Sequence, residues 1–180
     1  MNLTLALAVP LVGAALFTRG ARLPDRASRL VGALVAAAPL VLLGASALAF
    51  DPNGPLFQQI VDVEWIPSLG AGFRLGVDAI GLALAGTSAL LYVAAIAYPT
   101  DHAGRAHEYV AWMLFLEGVS IGLFLALDLL LFYVFFDLAL VGMYFLVAVW
   151  GHEGRERAAL EFILYTLLGS LVMLVGILAL

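Results

Sequence analysis

The sequence predicts an all-α fold: a polytopic transmembrane bundle of six helices with its N-terminus outside. Three observations carry this. Hydrophobic residues make up 64% of the 180 residues and charged residues only 12%, where soluble domains carry about 25% charged. The apolar residues gather into six runs, each near the length a helix needs to cross a bilayer, about 20 residues. The runs are continuous rather than alternating, and in lipid only helices or closed barrels satisfy their own backbone groups, so helices are expected.

The six segments lie near 2–18, 30–50, 76–98, 109–127, 129–150 and 158–180. No basic residue precedes the first apolar run, and Arg19, Arg22, Arg26 and Arg29 follow it. A secretory signal carries its positive charge first, so this run reads as a spanning helix. Pro10 and Pro39 fall inside the first two segments and are expected to kink them, which membrane helices tolerate when neighbours re-satisfy the backbone.

The long loop Asp51–Phe73 opens on Asp-Pro-Asn-Gly-Pro, a turn cluster. Its stretch Leu56–Ile66 partly alternates apolar and polar residues, consistent with a small β-hairpin at the membrane surface or with an irregular loop. Arg74 and Asp78 stand four apart at the start of the third segment, the spacing of a helix-end ion pair. Gly72-x-x-x-Gly76 and Gly118-x-x-x-Gly122 would allow close helix contact.

The fourth segment holds Glu117. Ser120 and Asp128 align with it on a continuous helix, Asp128 as a wet residue at the outer boundary. The fifth holds Asp137, with Tyr133 four residues before and Tyr144 seven after, on one face. A charged side chain at mid-depth in a bilayer costs about 2.5–3.5 kcal/mol, and such residues usually mark ion or proton paths. Asp137 is therefore read as a proton-relay carboxylate, lined by Tyr133 and Tyr144, against the alternative of a structural acid bonded to a nearby hydroxyl. For Glu117 a proton-path role and a buried structural hydrogen bond stand side by side. The sixth segment opens on Arg157 and Glu161, expected to form a surface pair.

Eight arginines and no lysine supply all the basic charge. Seven of them fall in the connections 19–29, 99–108 and 151–157, with Arg74 alone opposite. That asymmetry places those connections in the cytoplasm. The acidic balance, net charge −5, argues against nucleic acid as a partner. With no cysteine there is no disulfide or thiolate metal site. His102, His107 and His152 make no metal-ligand spacing with the carboxylates. They read as solvated loop residues, with His107 and Glu108 as an alternative proton entrance. The chain reads as a single membrane domain, 1–180, and its apolar last residues suggest a piece of a longer protein.

The run Glu117-Gly-Val-Ser-Ile-Gly-Leu-Phe-Leu-Ala-Leu-Asp128-Leu-Leu-Leu-Phe-Tyr-Val-Phe-Phe-Asp137 resembles the antiporter-like, proton-pumping subunits of respiratory complex I. Met143-Tyr-Phe-Leu-Val-Ala-Val-Trp-Gly151 and Tyr165-Thr-Leu-Leu-Gly-Ser170 look most like the subunit M, or chain 4, type of NADH-quinone oxidoreductase, and Leu75-Gly-Val-Asp78-Ala-Ile upstream resembles the same family. The resemblance implies the N-terminal part of a larger subunit that contributes to proton translocation in the cell's inner (plasma) membrane. Its partners would be the other membrane subunits of the complex and the lipid bilayer. No cofactor would bind here, the flavin and iron–sulfur clusters lying in other subunits. Sodium/proton antiporter and membrane-bound hydrogenase subunits share the superfamily, and a non-pumping membrane scaffold is a further alternative. Asp137 falls where the family carries a glutamate that pairs with a lysine on its seventh helix, and is one methylene shorter. Val141-Gly142 stands where the family often has a residue followed by proline, and Glu161 where many members have lysine.

Overall fold

The computed structural model describes residues 2–19, 23–67, 70–98 and 104–179. Arg22, His102 and Leu180 therefore lie outside the described residues. Six helices form the body: α1 Asn2–Arg19, α2 Asp25–Leu48, α3 Ala79–Ala97, α4 Ala106–Leu125, α5 Leu129–Trp150 and α6 Arg155–Leu178. Two strands, β1 Gln58–Ile66 and β2 Ala71–Val77, join α2 to α3 as an antiparallel hairpin. All six helices are long and apolar enough to span a membrane, so the chain is a multi-pass membrane protein.

Two departures from the expected boundaries have a local cause. α2 begins at Asp25 rather than near residue 30. Pro24 stands at its N-cap and accepts from the Ser28 N–H, so the polar turn Asp25–Arg29 is helical as well. α3 begins at Ala79 because the preceding residues through Val77 are strand, and the Asp78 carboxylate caps the helix by accepting from the Gly81 N–H at 2.9 Å. The expected Arg74–Asp78 pair does not form. Arg74 lies in β2 opposite Asp62 and bonds its carboxylate at 3.0 Å. Gly72 and Gly76 likewise sit in a strand, so only the second small-residue motif acts between helices.

α4 is the central post, packing against α1, α2, α3 and α5. More of its residues are buried than in any other helix. Gly118 lets the α1 side chain of Leu11 and the Leu7 carbonyl approach, and Gly122 admits Phe135 of α5 and Leu7. Leu3, Leu7, Leu43, Leu75, Val119 and Leu125 anchor the core toward the hairpin end, and Ala36, Ile96, Val110 and Leu114 anchor it toward the other. α6 leans on α5 and buries only Ala159 and Ser170. The helices run through Pro10 and Pro39, both buried. The Arg157–Glu161 pair forms at 2.7 Å on the exposed first turns of α6.

Candidate functional site

Two acids lie part-way along apolar helices. Glu117 sits past the middle of α4 and has no exposed surface. Neither carboxyl oxygen has a hydrogen-bond partner, and among the described residues Glu117 enters no ion pair. A buried polar atom left unpaired costs roughly 1–3 kcal/mol, and more when charged. Ser120, one turn along α4, meets the Tyr92 hydroxyl of α3 at 3.2 Å, and the Glu117 carboxyl is near enough to act electrostatically on Tyr92. An acid and two hydroxyls thus gather where α3 meets α4.

Asp137 lies in the first half of α5 and is half-buried, with its Oδ1 buried and unpaired. Tyr133 is buried one turn before Asp137, and its side chain interacts with both Asp137 and Ser170 of α6. The polar stripe of α5 therefore faces the α5–α6 seam. Tyr144 is two turns away and joins differently. Its ring stands edge-on to Phe145 at 5.3 Å, and no hydrogen bond links it to Asp137.

The third acid departs most from expectation. Asp128 does not continue the Glu117 face, because α4 ends at Leu125 and the chain turns there. Nor is it wet: only 10% of its side chain is exposed. As the N-cap of α5 it accepts from the Leu130 and Leu131 N–H groups at 2.9 and 3.2 Å. Its other oxygen accepts from the Gly72 N–H of β2 at 3.1 Å and faces Arg74 at 3.6 Å. Leu127 N–H donates to the Arg74 carbonyl, and Leu75 bridges to Ala126, so the hairpin is laced onto the α4–α5 corner. The Gly72 donor, 56 residues away in sequence, left no local signal.

Burial alone would raise the Asp128 carboxyl, but the Gly72, Leu131 and Leu130 N–H groups, with the Arg74 charge, outweigh it and hold it below the usual carboxylate range. A depressed folded-state pKa adds stability above the unfolded value, near 3.8, and that stability is lost as pH falls through the folded value. We therefore expect Asp128→Ala to loosen the hairpin at neutral pH by about 1–2 kcal/mol, the range for a lost N-cap. Protease nicking of the loop 51–57 reads it, and the difference from the unsubstituted protein should shrink only below the carboxylate range.

At the opposite end Arg105 bonds Glu108, which keeps its guanidinium firmly charged. Its guanidinium lies over the Trp150 ring at 5.5 Å. His107 belongs to the first turn of α4 rather than to a loop, 3.8 Å from Glu108. Among the described residues no group of histidines and acids has metal-holding geometry.

Six helices long and apolar enough to span a bilayer, one carrying the fully buried Glu117 and another the half-buried Asp137, define a multi-pass membrane protein. The family model described as NADH:quinone oxidoreductase/Mrp antiporter, TM, matches residues 126–180. NADH-quinone oxidoreductase subunit M of Rhodobacter capsulatus is 40% identical over 86% of this chain and 30% of its own length. The subunit M of Escherichia coli K12 is 38% identical over 78% of this chain and 29% of its own. The solved respiratory complex I from Thermus thermophilus with bound NADH contains a chain that matches 97% of this one at TM-score 0.79 and 32% identity, 34% of that chain being covered. The Mrp complex from Dietzia sp. DQ12-45-1b matches at TM-score 0.71 and 26% identity, over 97% of this chain and 19% of that one. The chain thus belongs to the antiporter-like membrane subunits, and these curated relatives are of the subunit M type. It spans about 30% of their length.

Proposed function

We propose that this chain is part of a membrane subunit of an NADH-quinone oxidoreductase and contributes to proton translocation driven by electron transfer elsewhere in the complex. The observation that supports this most directly is Asp137, a half-buried acid with an unpaired oxygen, set on α5 beside Tyr133 at the α5–α6 seam. A carboxyl so placed is open to a cationic partner from a neighbouring helix. Tyr133 would line its path, and Tyr144 further along α5 would line it less directly. The flavin and iron–sulfur clusters would belong to other subunits, and the quinone-reducing activity to the complex as a whole. The partners would be the other membrane subunits and the lipids of a bacterial plasma membrane, with the arginine-rich connections in the cytoplasm.

The likeness to the Mrp complex favours a second reading, a sodium/proton antiporter subunit. Deleting the gene and following NADH-driven acidification of inverted membrane vesicles separates them. The expected outcome is loss of NADH-driven acidification, restored by a plasmid copy. Intact NADH-driven pumping with lost sodium/proton exchange would favour the antiporter.

A further inference from the structure

The α3–α4 cluster is separate from the Asp137 seam. Glu117 is sealed by this chain's own helices: α4 packs against α1, α2, α3 and α5, and the residue has no exposed surface. A lysine on any further helix is therefore barred from pairing with it directly, whereas half-buried Asp137 remains open to such a partner. No described cation pairs with Glu117. An ionised carboxylate in that setting is strongly disfavoured, and the side chain is retained most cheaply as the neutral acid. The paired hydroxyls of Ser120, one turn further along α4, and Tyr92 of α3 can accept or pass on a proton.

We propose that Glu117 is a second protonatable site of this chain, which gains and loses one proton during turnover through the Tyr92–Ser120 hydroxyl pair. The change is carboxylic acid to carboxylate plus one proton, with no other bond made or broken. Its role rests on the proton-translocation reading above but not on Asp137. The site lies inside the bundle, so whatever covers the outer faces of the chain leaves it unaltered.

The test is NADH-induced difference infrared spectroscopy on membranes holding the assembled complex, paired with acidification of the same vesicles. The wild type should show a carbonyl-stretch change of a protonated carboxyl. Glu117→Gln should lose it and lower pumped protons per NADH at least two-fold. Asp137→Asn should keep the Glu117 signal, and Tyr92→Phe should shift its frequency. Should Glu117→Gln fail to assemble, Glu117→Asp takes its place and should keep the carbonyl change at a shifted frequency. A spectrum unaltered by either substitution, or wild-type pumping in an assembled Glu117→Gln complex, overturns the site. Wild-type vesicles without NADH-driven acidification reject the function itself, a result distinct from either.

Discussion

Replacing Gly122 by leucine is expected to cause a large loss of assembled protein. A Cβ at this position would fall 2.6 Å from two ring atoms of Phe135 and 2.8 Å from Leu7 Cδ1. Phe135 is buried, and Leu7 lies in the same core cluster, so neither has space to retreat into. Three helices meet there, because Leu7 belongs to α1, Gly122 to α4 and Phe135 to α5. Overpacking a well-filled core costs about 1–3 kcal/mol and occasionally more, and close approach through small residues is a main source of helix association in lipid. The recovered fraction of assembled, detergent-soluble complex and its melting temperature measure the effect. Gly86→Leu is the control, since nothing lies within 4 Å of that position, and it should assemble as wild type. Equal behaviour of the two variants would remove α4 from its place as the central post.

The helices were legible in the sequence because length and continuous hydropathy are local properties. The hairpin was half legible. β1 alternates enough to suggest a strand, whereas β2 is short, rich in glycine and apolar, and merges into the helix that follows. Arg74 and Asp78 then mimicked a helix-end pair by spacing alone, although the backbone between them is extended up to Val77. The depths of Glu117 and Asp137 followed from their place in apolar runs. Their surroundings did not, since Tyr92 and Ser170 come from other helices. Asp128 was misread for the same reason. Two of its neighbours, Gly72 and Arg74, lie more than fifty residues earlier, and all three of its hydrogen bonds come from backbone N–H groups that any residue supplies.

Asp137 is the position where charge rather than shape should decide activity. Asparagine keeps the size of the side chain and its capacity to meet Tyr133, and removes only the exchangeable proton. In the assembled complex, Asp137→Asn is expected to cut NADH-driven proton pumping by on the order of 100-fold, since a positioned acid–base group contributes about 10²–10⁴-fold to proton transfer. Asp137→Glu separates this role from a structural one. It keeps the carboxyl and adds one methylene at a half-buried site, a change of about 1 kcal/mol in packing. Vesicle acidification per NADH oxidised should therefore stay within a few-fold of wild type in Asp137→Glu. A merely structural aspartate predicts the reverse order. The isosteric asparagine would then pump normally and the longer glutamate would suffer, because the α5–α6 seam that holds Tyr133 against Ser170 would have to open to admit it. Pumping measured on the two variants side by side, each normalised to assembled complex, distinguishes a group that changes its charge from one that only fills a place.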